Sequence, residues 1–82
     1  MHPVSFARAF QRRFGLSPSA YRRRRLVARA AAAIPGAEGR LAAVAHDVGF
    51  ADQAHMTRAF RAETGLPPGA YRSLVAELFR GA

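Results

Sequence analysis

One short segment combines hydrogen-bonding side chains with small apolar ones: Gln53, Ala54, His55, Thr57 and Arg58. A Gln amide can pair with adenine and an Arg guanidinium with guanine, each through two hydrogen bonds, while an Ala or Thr methyl can meet the methyl of thymine. Side chains near the start of a helix that lies in the major groove reach these base edges. These residue types at this spacing indicate recognition of bases.

Catalytic and metal-binding patterns are missing from the sequence. His2, His46 and His55 lack the spacing of metal ligands, and the chain has no cysteine. No Gly-x-Ser-x-Gly motif is present, and the segment GLPPG (65–69) is not a phosphate-binding loop. The sequence therefore predicts a protein that is not an enzyme and that needs no cofactor and no metal.

Positive charge is concentrated in the first part of the chain. The net charge is +8, and all thirteen basic residues are arginine. Residues 1–34 hold eight arginines and no acidic residue, whereas residues 35–82 hold five of each. This uneven field favours a polyanionic partner, with nucleic acid ahead of an anionic membrane surface. No stretch is apolar for long enough to span a bilayer.

One segment of the chain occurs twice. RAFQRRFGLSPSAYR (8–22) returns as RAFRAETGLPPGAYR (58–72) fifty residues later, without a gap and with nine of fifteen positions identical. In each copy a Gly-Leu pair ends one helical pattern and a Pro opens the next. The repeat predicts that the same unit, a helix, a turn and the start of a second helix, is used twice.

Helical spacing of large apolar residues predicts the buried face of each copy. Phe6, Phe10 and Phe14 follow one another at intervals of four residues, and Met56 and Phe60 are the later counterparts. One face of a helix carries residues at this spacing. We expect these side chains to be core residues.

Glycine and proline divide the chain into five predicted helices, and no strand alternation is sustained. Ser17 and Asp52 are predicted N-caps, since a side-chain oxygen at this position accepts from a free N–H of the first turn. The predicted ranges are about Pro3–Phe14, Pro18–Ile34, Arg40–Val48, Gln53–Thr64 and Pro68–Phe79.

A sharp corner is predicted between the third and fourth helices. Ala45 allows the two helices to cross closely, and Gly49 supplies the positive φ of a tight turn. Phe50 is expected to fill the corner, and Asp52 caps the helix that follows. A helix, a glycine turn and a capped second helix form the helix-turn-helix plan, in which the second helix enters the major groove.

The segment VAHDVGFADQAHMTRAFRAETGLPPGAYR (44–72) resembles the second helix-turn-helix of the AraC/XylS family of bacterial transcription regulators. The first copy of the repeat is similar to the end of that family's first helix-turn-helix, and residues 17–34 are similar to its connecting helix. The resemblance covers essentially the whole chain. The positions that match the family pattern are Ala45, Gly49, Phe50, Asp52, Met56, Arg58, Phe60, Gly65, Pro68, Tyr71 and Arg72.

The resemblance implies an all-α helix-turn-helix bundle. Residues 1–34 would form a partial first helix-turn-helix and the connecting helix, and residues 35–82 a complete second helix-turn-helix with a C-terminal helix. The family domain extends further at its N-terminus, where two helices support the first recognition helix. We therefore expect the chain to be a truncated product, or the result of a miscalled start, of a longer regulator. Its first unit would then leave apolar surface uncovered.

The same resemblance implies which residues read bases in the two units. In the second unit they are Ala54, Thr57 and Arg58, and in the first they are Val4, Ala7 and Arg8. The residues of the first unit are mostly apolar, so we expect poorer hydrogen-bond readout of bases by that unit. A structural salt bridge is the alternative for Arg8 and Arg58, but the first half offers no acid to pair with Arg8.

Phosphate contacts are expected from Arg12, Arg22, Arg61 and Arg72. Arg22 and Arg72 lie in the first turns of helices, where free N–H groups also attract phosphate oxygens. The implied partner is double-stranded DNA at the bacterial nucleoid in the cytoplasm. RNA polymerase or a full-length regulator could be protein partners, and no small-molecule effector site is expected.

Three classes of function remain to be compared. The first is a sequence-specific DNA-binding module. The second is an interaction protein that pairs with a full-length regulator through the exposed aromatic face of residues 6–21. The third is a basic amphipathic segment, residues 3–34, on a membrane surface. DNA footprinting, co-purification and helicity on anionic vesicles respectively distinguish these classes.

Overall fold

The computed structural model describes residues 3–80, with side chains from Ser5 to Arg80. This part of the chain forms five α-helices joined by short connections and contains no strand. The predicted all-α fold class is therefore confirmed. The elements are α1 (Pro3–Phe14), α2 (Pro18–Ala33), a short 3-10 turn (Ile34–Gly36), α3 (Leu41–Val48), α4 (Gln53–Thr64) and α5 (Pro68–Arg80).

Local capping chemistry sets the ends of these helices. The Ser17 hydroxyl accepts the backbone N–H three residues later at 3.2 Å, and the Asp52 carboxylate does the same at 2.7 Å. Both predicted N-caps are thus confirmed. Gly15 ends α1 and Gly65 ends α4 with φ angles of 82° and 83°, in the left-handed conformation that closes many helices.

The predicted helix bounds agree with the structure to within a few residues. The bounds of α1 and α4 match at both ends. The third helix begins at Leu41 because Arg40 has an extended backbone with ψ of 143°. The second helix was predicted to reach Ile34, but its end tightens into a 3-10 turn, since Pro35 has no N–H to continue the helical ladder.

The hydrophobic core lies where α2, α3 and α4 meet. Phe60, Ile34 and Met56 are the largest of its side chains that are completely buried. Burial of one such side chain stabilises the fold by about 1.5–3 kcal/mol. Within residues 5–80 no charged side chain is buried. The core residues are Val27, Ala30, Ile34, Val44, Ala45, Val48, Phe50, Met56, Ala59 and Phe60.

The aromatic residues of α1 are not core residues, so the prediction for this copy was wrong. Phe6 and Phe14 are each 49% exposed, and Phe10 is half-buried. These rings pack on one another and on Tyr21, with centroids 4.5–6.0 Å apart. The main neighbour of α1 is the start of α2, and one helix cannot enclose a whole aromatic face. The expected uncovered apolar surface is present.

The C-terminal half of α5 also exposes apolar residues, which the sequence did not predict. Leu74, Leu78 and Phe79 are 45%, 66% and 76% exposed. The start of the helix is better held, because Pro68 is buried and Tyr71 packs against the core. Among residues 3–80, no helix combines the length and the apolar character that crossing a membrane requires.

Candidate nucleic-acid interface

The turn between α3 and α4 sets the direction of α4. The N–H groups of Gly49 and Phe50 both donate to the carbonyl of Ala45, at 3.1 and 2.9 Å. The φ of Gly49 is 118°, a conformation that residues with a Cβ atom rarely adopt. Phe50 is 4% exposed and Ala45 is fully buried. The predicted corner of a small residue, a glycine and a buried aromatic is confirmed.

The helix that follows this corner has one buried and one exposed face. Met56, Ala59 and Phe60 point into the core. The residues predicted to read bases lie on the remaining surface of α4 and are exposed or half-buried. Arg58 is exposed and Thr57 is half-buried. The other exposed positions of interest on α4 are Gln53, Ala54 and Arg61.

His55 is held in the corner by its own hydrogen bonds. Its Nδ1 accepts the N–H of Ala51 at 3.3 Å, and its ring lies edge-on to Phe50 with centroids 5.1 Å apart. The ring is half-buried, so only part of it is available for the predicted groove contact. Within residues 3–80, no three His, Asp or Glu side chains come together as a possible metal site.

The four arginines at 22–25 point into different environments. Arg22 is exposed. Arg23 Nε donates to Glu63 Oε1 at 3.1 Å, and Arg24 Nε lies 3.4 Å from Glu63 Oε2. The Arg25 guanidinium lies 6.0 Å from the centre of the Tyr21 ring. Because successive residues of a helix point in different directions, only part of this run can face one duplex.

The role of Glu63 was not predicted from the sequence. Its carboxylate joins the last turn of α4 to the first half of α2 through two guanidiniums that are 49% and 67% exposed. Exposed ion pairs of this kind contribute only about 0–1 kcal/mol to stability. Their larger effect is to position the two guanidiniums. The signal was a difference between the copies: the residue that corresponds to Glu63 in the first copy is Arg13.

Tyr71 connects α5 to the end of α2, and Arg72 connects α5 to the loop before α3. The Tyr71 hydroxyl donates to the Ala31 carbonyl at 2.9 Å, and Arg72 Nη1 donates to the Gly39 carbonyl at 3.1 Å. Arg72 is half-buried as a result. The structure thus gives Arg72 a structural contact, and its other N–H donors are the ones on which the predicted phosphate contact depends.

The predicted contact residues of the first copy lie on α1. Arg8 and Arg12 are exposed and line a shallow groove with Gln11. Ala7 is half-buried, and the side chain of Val4 lies outside the described residues. Among residues 5–80, the only ion pairs are those of Glu63, so neither Arg8 nor Arg58 forms the alternative structural salt bridge.

Comparison with known proteins adds three observations. Residues 1–73 match the model of a helix-turn-helix domain family. The chain is 39% identical over 70 residues to the uncharacterized HTH-type transcriptional regulator YbfP of Bacillus subtilis (strain 168), an alignment that covers 85% of this chain and 24% of that protein. A solved structure of a protein of unknown function from Listeria innocua matches with a TM-score of 0.81 and 27% identity, covering 90% of this chain and 70% of that one. The chain thus spans about a quarter of the length of the Bacillus regulator.

Proposed function

Because the chain belongs to the AraC-type helix-turn-helix family of transcription regulators, we propose that it is a sequence-specific DNA-binding module of such a regulator. In this proposal α4 enters the major groove as the main reading helix. In the same proposal α1, the helix of the first copy, is a second reading helix on the same duplex. Arginines around the two helices contact the phosphates.

The observation that carries the proposal is the exposed face of α4. The Gly49 corner sets the direction of α4, and the burial of Met56, Ala59 and Phe60 turns this face away from the core. Arg58 is exposed on it, and no carboxylate within residues 5–80 pairs with its guanidinium. An Arg in this position can bind guanine through two hydrogen bonds. Gln53 and the methyl groups of Ala54 and Thr57 supply the other contacts to base edges.

The readout by α1 is weaker in this proposal. Val4 and Ala7 offer only apolar contacts, and Arg8 is the sole strong hydrogen-bond donor among the three residues. The positions of Arg8 and Arg58 correspond in the two copies, so both are assigned to base edges. His55 is assigned a smaller part, because its Nδ1 already accepts the Ala51 N–H.

Phosphate contacts position the module rather than select its site. Arg12, Arg22 and Arg61 are exposed and are assigned to phosphates of the two DNA strands. Arg72 contributes the N–H donors that its hydrogen bond to the Gly39 carbonyl does not use. Each contact steepens the dependence of log affinity on log salt by about 0.9. RNA polymerase or a full-length regulator is the protein partner in this proposal, at the exposed aromatic face of α1.

The replacement Arg58→Ala tests the assignment of α4. We expect specific binding to weaken by about 1–3 kcal/mol and sequence preference to relax at one base pair. Binding to a randomised duplex pool, followed by sequencing of the selected DNA, measures both effects.

The matched control for this experiment is Arg80→Ala. It removes the same charge from an exposed position at the end of α5, far along the chain from the reading helix. Equal losses for Arg58→Ala and Arg80→Ala, with an unchanged sequence preference, would contradict the assignment. Failure of the unmodified protein to bind any duplex at low salt would contradict the proposed function itself.

A further inference from the structure

A cleft of about 470 Å³ lies between the first turns of α2 and the corner that joins α3 to α4. Its apolar part is formed by Leu26 and Phe50. Its polar part is formed by Arg22, Arg23 and His55, with the hydroxyl of Ser19 beside them. At about 30 Å³ for each water molecule, the cleft has room for a phosphate group together with bound water.

Every polar side chain that lines this cleft can donate a hydrogen bond. The Arg22 guanidinium has no hydrogen bond or ion pair within residues 5–80, so all of its N–H groups are available. Arg23 uses Nε for Glu63 and keeps its other donors. His55 Nδ1 accepts the N–H of Ala51, so a neutral ring carries its proton on Nε2 as a donor.

The charge around the cleft is positive. Two carboxylates contact residues that line the cleft: Glu63, which lies between Arg23 and Arg24, and Asp52, which accepts the backbone N–H of His55 at 2.7 Å. Neither carboxylate lines the cleft. Arg22 and Arg23 line the cleft and no carboxylate does, so the lining itself is positively charged.

We propose that this cleft binds one phosphate group. Two arginines and a histidine line one concavity that no carboxylate lines, and their unused N–H donors suit an oxyanion with several acceptor oxygens. Glu63 is a positioning residue for this site, because it fixes Arg23 at the rim. Arg22 is the main ligand, since it makes no competing contact within the described chain.

The phosphate can come from a DNA strand or from a small phosphorylated molecule, and the chemistry is the same. Arg23 and His55 also line a shallow groove along α4 that contains Arg58. The cleft therefore borders the face that is proposed to read bases, which favours a backbone phosphate beside that groove. A DNA backbone phosphate as the ligand rests on the proposed function, whereas binding of a free phosphate does not.

The first part of the test uses duplex DNA in which one linkage at a time is a neutral methylphosphonate. We expect one such linkage to weaken binding of the unmodified protein about tenfold, as for the loss of a charge-assisted hydrogen bond. The same linkage should not weaken DNA binding of the Arg22→Gln variant any further. For this variant the slope of log affinity against log salt should be shallower by about 0.9. Arg25→Gln is the control, because it removes one charge from α2 outside the cleft and should keep the full tenfold effect.

The second part titrates inorganic phosphate into the protein without DNA. We expect a saturable shift of the Ala51 and His55 backbone amide NMR signals, lost in Arg22→Gln and retained in Arg25→Gln. Arg22 is exposed, so the replacement should leave the circular dichroism spectrum unchanged.

The outcomes of the two parts separate the possible conclusions. A linkage effect that depends on Arg22 assigns the phosphate to the DNA strand. A phosphate titration that depends on Arg22, without a linkage effect, assigns the site to a small phosphorylated molecule. If the protein binds duplex DNA but shows neither effect, the inference is overturned, and the proposed DNA-binding function stands without its Arg22 contact. If the protein binds no duplex at all, the proposed function fails and the titration alone decides the inference.

Discussion

The two copies of the repeat have the same turn but different surroundings. In both copies the glycine that ends the first helix has nearly the same φ, 82° for Gly15 and 83° for Gly65. The Phe and Tyr of each copy also pack together, with ring centroids 5.4 Å apart for Phe10 and Tyr21 and 5.2 Å for the later pair. The local conformation is therefore a property of the fifteen residues themselves.

Burial is the property that differs between the copies. Phe60 is fully buried beneath α2 and α3, whereas Phe10 is only half-buried against its own neighbours. Tyr71 donates to Ala31, 40 residues away, and within residues 5–80 the Tyr21 hydroxyl makes no corresponding hydrogen bond. A repeated sequence can encode a turn twice, but contacts from distant parts of the chain decide whether its aromatic residues become a core.

Hydrogen exchange should show the largest difference between the copies. The amides of α4 should open only with free energies near that of global unfolding, which is about 5 kcal/mol or more, while those of residues 3–14 should open with values much closer to zero. Few buried contacts hold α1, and this is the physical reason for the difference. Native-state exchange followed by NMR gives both values. Similar protection in α1 and α4 would contradict the view that α1 lacks support.

Replacement of the corresponding phenylalanines sharpens the comparison. Phe60→Ala should destabilise the protein by about 3–5 kcal/mol, because it leaves a cavity in the core. Phe10→Ala should cost only about 1 kcal/mol, since part of the side chain is already in water and no core surrounds it. Urea unfolding measures both. If Phe60→Ala does not fold, Phe60→Leu and Phe10→Leu provide the milder pair, and equal losses in that pair would refute the comparison.

The smallest expected effect concerns the two tyrosine hydroxyls. Tyr71→Phe should lower the free energy of unfolding by about 0.5–1.5 kcal/mol, because the Ala31 carbonyl loses its side-chain donor. Tyr21→Phe should leave stability almost unchanged. Thermal unfolding at one pH and one salt concentration measures the difference. A loss at Tyr21 as large as that at Tyr71 would reveal a contact of the first copy that is absent from residues 5–80.

The helix bounds and the corner were predictable because they depend on nearby residues. Ser17 and Asp52 cap the helices that follow them, and Gly49 provides the positive φ of the turn. Each of these effects involves atoms within a few residues along the chain. For the same reason the exposed face of α4 followed from helical spacing alone, once Met56 and Phe60 were assigned to the core.

Contacts between distant residues could not be predicted in this way. The Arg72–Gly39 hydrogen bond spans 33 residues and the Arg23–Glu63 ion pair spans 40. Helical periodicity carries no information about such pairs. The same limit explains the error at Phe6 and Phe14, since periodicity gives the apolar side of a helix but not whether another element covers it.

The ion pairs of Glu63 have a consequence for long-range attraction. An ordinary ion pair fixes the position of a charged group and cancels its charge at the same time. Here a single carboxylate fixes two guanidiniums and can cancel only one of them. The junction between α2 and α4 thereby holds both guanidiniums in fixed positions and keeps a net positive charge. The field of this charge attracts an approaching polyanion.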